Sequence, residues 1–140
     1  MNVLIAPDSF KGSLSAFDFC RVAEQAVLDN QPGAQVWKYP LADGGEGTVE
    51  ALVLNTKGVI KYADVTGPLG DPVRAKYGIL GDGHTAVIEM ASASGLPLVP
   101  EERKNPMHTT TYGTGELVKT VLDEGCDTII MGIGGSATND

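Results

Sequence analysis

Asp8, Ser9 and Lys11 stand in one short polar stretch directly after the first apolar run of the chain. Asp43, Gly44, Gly45 and Glu46 follow the second run, and Ser136, Thr138, Asn139 and Asp140 follow the last. These are carboxylates, hydroxyls, an ammonium and backbone freed by glycine, the groups that bind a polar ligand or move a proton. Any one such stretch is accounted for by turn formation, since Gly, Asp, Ser and Asn favour turns for local reasons. Three of them, each after a predicted strand, are harder to dismiss. In an open parallel sheet the carboxyl ends of the strands share one rim, and ligands bind there.

The elements that must position these residues are read from periodicity. Val3 to Ala6 is all apolar, as in a strand buried on both faces. Ser15 to Asp18 resembles a capping box with Asp in place of Glu. Ala16, Phe19, Cys20, Ala23, Ala26 and Val27 then form one helical stripe, which Pro32-Gly33 stops. Val36 to Tyr39 is a second strand, and Thr48 to about Asn55 a second helix that Gly58 can cap. This β-α-β-α order predicts a parallel sheet with crossover helices. Val59 to Met90 changes character: alternating residues and the turn signal Asp82-Gly83 predict an antiparallel stretch with one solvated face. Residues 91–95 suit a short helix, Glu116 to Glu124 a longer one, and Thr128 to Met131 a buried strand. The domain change is expected near Gly58, dividing the chain into 1–58 and 59–140. A strand that opens into a glycine-rich loop should feed a helix. None follows Asp140, so the chain is expected to be truncated, incomplete as a folding unit.

Composition narrows the function classes. A net charge of −8 argues against nucleic acid as a partner, because phosphate backbones need a basic face. The same charge would repel an anionic substrate at long range, so local donors must hold one. No apolar run approaches the roughly 20 residues that cross a bilayer, and the start has no basic segment of the signal-peptide kind. Cys20 and Cys126 are too few for a disulfide scaffold and read as packing residues. His84 and His108 lack metal-ligand spacing, which argues against zinc. There is no G-x-x-x-x-G-K-[ST], and Gly132-Ile133-Gly134 lacks the third glycine of a dinucleotide fingerprint. Glycine nonetheless supplies 18 of 140 residues, clustered between elements, where backbone must turn tightly or approach a ligand.

Six strings carry a resemblance. They are residues 7–16 (PDSFKGSLSA), 42–48 (ADGGEGT), 66–70 (TGPLG), 89–96 (EMASASGL), 109–116 (TTTYGTGE) and 132–140 (GIGGSATND). In this order they resemble the successive signatures of the bacterial glycerate kinase family of the glyoxylate and glucarate pathways. The resemblance covers the whole chain, although family members are much longer. It implies a flavodoxin-like parallel sheet with a second α/β domain inserted into it, and a site in the cleft between them. It implies transfer of the ATP γ-phosphoryl group to D-glycerate with Mg²⁺, at the 2-hydroxyl, in the cytoplasm. Such transfer depends on charge neutralisation and positioning more than on covalent help. Asp43, Glu46 and Asp140 are then candidates for Mg²⁺, which takes one or two carboxylates and keeps waters. Asp8 or Asp43 could accept the hydroxyl proton, and Lys11 could clamp phosphate or carboxylate. Ser9, Ser136, Thr138 and Asn139 would bind substrate or phosphate, as would the backbone around Gly44-Gly45 or Gly134-Gly135. The rival reading is a non-catalytic module that binds a small acid, above all for residues 1–140 alone, which are expected to be inactive and loosely packed.

Overall fold

A computed structural model describes residues 1–139. The chain divides into two compact units, Met1–Asp43 and Gly44–Asp140. In the first, β1 (Asn2–Ile5) and β2 (Gln35–Lys38) pair in parallel, with Val3 opposite Val36 and Leu4 opposite Trp37. The crossover between them is α1 (Ala16–Asn30). Ser15 caps this helix as the sequence predicts: its Oγ accepts from the Asp18 amide at 3.0 Å and donates to the Asp18 carboxylate at 2.8 Å. The predicted stripe is only partly buried. Ala16 and Cys20 are covered, whereas Ala26 is exposed. Leu4 and Trp37 lie opposite one another and are exposed.

The second unit opens with α2 (Thr48–Thr56) and continues into β3 (Val59–Thr66), β4 (Pro72–Ile79) and β5 (Thr85–Glu89). After β5 come α3 (Met90–Ser94), α4 (Tyr112–Asp123) and β6 (Thr128–Gly132). The sheet order is β3-β4-β5-β6, antiparallel as far as β5, with β6 added in parallel at the edge. The mixed α/β class with parallel strand pairs is therefore as expected. β3 and β4 pair with each other along their full length, so neither depends on a strand from elsewhere.

Three local expectations change. The face of β4 that carries Arg74 and Lys76 is only partly left to solvent: Arg74 is exposed, whereas α2 lies across the face at Lys76 and Gly78. Packing is so close there that a Cβ on Gly78 would fall 2.3 Å from a Val53 methyl. The helix-ending residue with positive φ is Lys57, not Gly58. Gly58 is required for a different reason: a Cβ there would meet the Ile79 carbonyl oxygen at 2.2 Å. Finally, α2 packs on the sheet that follows it, so the expected change near Gly58 falls inside the second unit.

The main core lies on the other face of this sheet, where Ala75, Tyr77, Ala86 and Ile88 meet Leu117 and Val121 of α4. β5 is buried at every position, which fits a strand covered on both faces. Cys126 joins this core, and burial pushes its thiol up, in keeping with a packing role. Tyr77 is buried with its hydroxyl donating to Glu124 at 2.8 Å. Burial first, then Glu124, pushes this phenol up to about 12. A raised folded pKa means stability that is complete below the unfolded value near 10 and is lost as pH climbs toward 12. Denaturant melts between pH 9 and 12 should therefore show a falling alkaline limb that flattens in Tyr77→Phe. An unchanged limb would contradict the assignment.

Candidate functional site

The loop between β1 and α1 is built by its own backbone. Phe10 N–H donates to the Leu14 carbonyl at 2.8 Å, and the amides of Ser13 and Leu14 return to the Phe10 carbonyl. Gly12 takes φ +74°, a left-handed conformation that costs glycine little. Phe10 is anchored on Phe19 of α1, with ring centroids 5.4 Å apart. This turn holds Lys11 at its tip, exposed and without an ion pair among the described residues. Asp8 and Ser9 are exposed on the same loop, where Asp8 Oδ1 accepts the Ser9 amide at 2.6 Å. The first unit thus gathers Asp8, Ser9 and Lys11 at the carboxyl end of β1. Asp43 ends that unit, exposed, on the loop that follows β2.

In the second unit two glycine-rich loops lock together. The Gly134 amide donates to the Gly44 carbonyl at 2.9 Å. A Cβ on Gly134 would lie 2.8 Å from Gly45 Cα, and one on Gly132 would lie 2.6 Å from the Gly44 oxygen. Glycine is needed at both positions because backbone lies directly against backbone. The loop after β6 is held on its other side by α3. Ala137 N–H donates to the Ser94 carbonyl and Leu96 N–H to the Gly135 carbonyl, each at 2.9 Å. Thr109 Oγ1 reaches the Ala137 carbonyl at 2.7 Å. Ser136 Oγ accepts the Thr138 amide at 3.0 Å and bonds to its hydroxyl at 2.9 Å.

Two further motifs join from below. The Ser94 and Thr114 hydroxyls bond at 2.8 Å, both buried. The turn after β3 is fixed by α4 and the segment before it: Glu116 Oε2 accepts the Thr66 amide at 2.6 Å, and Thr110 N–H donates to the Pro68 carbonyl at 3.0 Å. α4 approaches so closely that a Cβ on Gly113 would sit 1.8 Å from the Thr66 oxygen. The helix starts at Tyr112, four residues before its predicted start at Glu116, because this contact organises its first turn.

The start of α2 has its own partner. Its N-cap, Gly47, has no side chain with which to cap, and the first backbone bond along the helix runs from Ala51 N–H to the Gly47 carbonyl. The Val49 amide would be an orphan at this end. Instead it donates to Glu89 Oε1 at 2.8 Å, from the last residue of β5. Glu89 is 3% exposed, and its other oxygen lies 3.6 Å from Lys76 Nζ, which also bonds Glu50 at 2.5 Å. Burial alone would lower the Lys76 pKa. The Glu50 hydrogen bond and the charges of Glu89 and Glu50 outweigh it and hold the ammonium above its ordinary value. A charge-assisted bond of the Glu89 kind contributes about 1.5–3 kcal/mol.

Chemically, the second unit brings Gly44, Gly45, Ser136 and Thr138 into one interlocked edge at the carboxyl ends of β5 and β6. Glu46 is exposed in the turn before α2, and Asn139 is exposed at the end of the described chain. Asp140 lies outside the described residues. Of the two backbone anion sites expected from the sequence, the start of α2 already faces a carboxylate. In the loop after β6, the amides of 134, 137 and 138 are committed within the described residues, and those of Gly135 and Ser136 are among the donors that remain. No group of three or more His, Cys, Asp or Glu among the described residues makes a metal cage. A single carboxylate such as Glu46 is still the donor set Mg²⁺ uses when phosphates and waters complete its shell. Glu89 and Glu116 lie within the motif strings but receive no role from sequence alone. Their partners are 40 and 50 positions away, and no local pattern signals such bonds.

Comparison with known proteins identifies relatives for the whole of this arrangement. Residues 3–140 match the glycerate kinase family. A glycerate kinase of Bacillus subtilis (strain 168) is 59% identical over 140 residues, all of this chain and 37% of the relative. A glycerate 2-kinase of Escherichia coli (strain K12) is 55% identical over the same length, again 37% of that protein. A crystal structure described as a glycerate kinase 2 candidate from Salmonella typhimurium LT2 superposes with a TM-score of 0.88 at 55% identity. It matches all of this chain and 38% of its own. The chain thus spans a little over one third of the length of these relatives.

Proposed function

The chain belongs to the glycerate kinase family, and from that premise we propose that the protein carrying it transfers the γ-phosphoryl group of ATP to D-glycerate. The observation that supports this most is the interlocking of five sequence-distant motifs at the sheet's carboxyl edge. The Gly44–Gly134, Ser94–Ala137, Thr109–Ala137, Glu89–Val49 and Thr66–Glu116 bonds tie segments far apart in the sequence into one edge. Rigid, preorganised donors are what phosphoryl transfer asks of a protein.

The roles divide by chemistry. Asp43 takes the proton of the attacking hydroxyl, and Asp8 is the other carboxylate suited to that task. Lys11 neutralises a phosphate or the glycerate carboxylate, with Ser9 beside it. The Ser136 and Thr138 hydroxyls, the Gly135 and Ser136 amides and Asn139 contact phosphate. The Gly44-Gly45 backbone supports that loop. Glu46 would hold Mg²⁺, with Asp140 as the second carboxylate, and the ion would supply charge neutralisation on the ATP phosphates. β1, α1 and β2 form the opening of a flavodoxin-like domain. No helix among the described residues is long and apolar enough to cross a membrane, and we place the reaction in the cytoplasm.

The 2-hydroxyl is the favoured acceptor, in keeping with the name of the Escherichia coli relative. Proton-coupled phosphorus NMR of the product decides this directly. Phosphorus on the C2 oxygen couples to one proton and gives a doublet, and phosphorus on the C3 oxygen couples to two and gives a triplet. A doublet is expected; a triplet would overturn the assignment of the 2-hydroxyl.

A further inference from the structure

We propose that Glu89 is a positioning residue for this phosphoryl transfer, holding the Gly44–Gly47 loop by serving as the fixed anion at the start of α2. The role rests on the kinase reading above. Three observations point to it. The first is the bond itself: Glu89 Oε1 accepts the Val49 amide at 2.8 Å, across 40 residues of sequence. The second is the lack of any other side-chain cap among the described residues, since Gly47 carries no side chain and the Thr48 hydroxyl is spent on the Gly45 carbonyl at 2.8 Å. The third is cost. A carboxylate that is 3% exposed, with one ammonium at 3.6 Å shared with Glu50, is an expensive way to stabilise a fold. An apolar residue would fill a core position between β5 and α2 at lower cost.

What the carboxylate does is geometric. Val49 lies one turn after Gly45, and Gly44 supplies the carbonyl that receives Gly134 N–H. Fixing the Val49 amide therefore fixes the end of the segment whose other end is tied to the loop after β6. A negative charge at this helix start is favoured by the helix dipole. It also excludes a substrate phosphate from the same amide, so that phosphate is directed to the Gly135–Ser136 side. Glu89 thus acts through the loop and touches no reacting atom.

The test uses the whole protein with Glu89→Ala and Glu89→Gln. Glutamine keeps an acceptor oxygen for Val49 N–H and alanine does not. With Glu89→Ala, kcat per titrated active site should fall at least tenfold, with the KM for D-glycerate changed less than threefold. Glu89→Gln should recover most of that loss. Independently of activity, amide hydrogen exchange should show Val49 deprotected in Glu89→Ala and protected in Glu89→Gln, with Val53 protected in both. Unchanged kcat in Glu89→Ala, or a reduced active fraction with normal kcat per site, would overturn the positioning role alone. A protected Val49 amide in Glu89→Ala would overturn it too. Wild-type protein that transfers no phosphate would instead overturn the kinase reading, and the role with it.

Discussion

Asp43→Asn in the whole protein should lower kcat by about 10²- to 10⁴-fold, the range that a positioned general base contributes. The substitution keeps the shape but removes the negative charge and, with it, the ability to take a proton. Asp43 is exposed, so its loss creates no cavity and the thermal transition should stay within a degree or two. Asp8 is the control. One of its oxygens is engaged by the Ser9 amide at 2.6 Å, on a loop that Phe10 anchors on Phe19 and that the Leu41 amide ties at the Pro7 carbonyl. With Asp43 as the base, Asp8→Asn should cost less than Asp43→Asn. The reverse order, with Asp43→Asn within fivefold of wild type, would move the base to Asp8.

Lys11→Ala carries the second large effect. At a net charge of −8 the protein offers an anion no long-range attraction, so a local cation has to supply it. Lys11 stands at the tip of the turn closed by Phe10 and Leu14, with no carboxylate to quench it among the described residues. Its removal should lower kcat/KM at least tenfold, about 1.4 kcal/mol of transition-state stabilisation. Because its side chain is solvated, folding should be unaffected, and Lys11→Arg should recover part of the loss. Unchanged kinetics in Lys11→Ala would leave it an ordinary surface lysine.

What could be read from the chain alone follows from the range of each interaction. Element order was legible because burial imposes a period of 2 or 3.6 on neighbouring residues. Ser15 was legible as a cap because its partner, Asp18, is three residues away. The loops carrying Asp8, Asp43 and Ser136 were legible because polar residues after apolar runs break that period. The fate of α2 was not, since its helical stripe is the same whichever sheet it packs against. Gly78, which leaves room for Val53, records that contact, and it reads locally as a gap in a strand. Gly58 misled for a related reason. Glycine after a helix suggests a left-handed cap, whereas here it makes room for the Ile79 carbonyl and Lys57 takes the left-handed turn. Glu89 and Glu116 show the same limit: a carboxylate beside an apolar run has no signature for an amide on another element.

The most direct test of the whole account is to incubate the whole protein with ATP, Mg²⁺ and D-glycerate and to measure ADP and phosphoglycerate together. The account predicts that both form in equal amounts, depend on D-glycerate, and fall together in Asp43→Asn. ADP no higher with D-glycerate than without it, across D-glycerate and other small hydroxy acids, would contradict it.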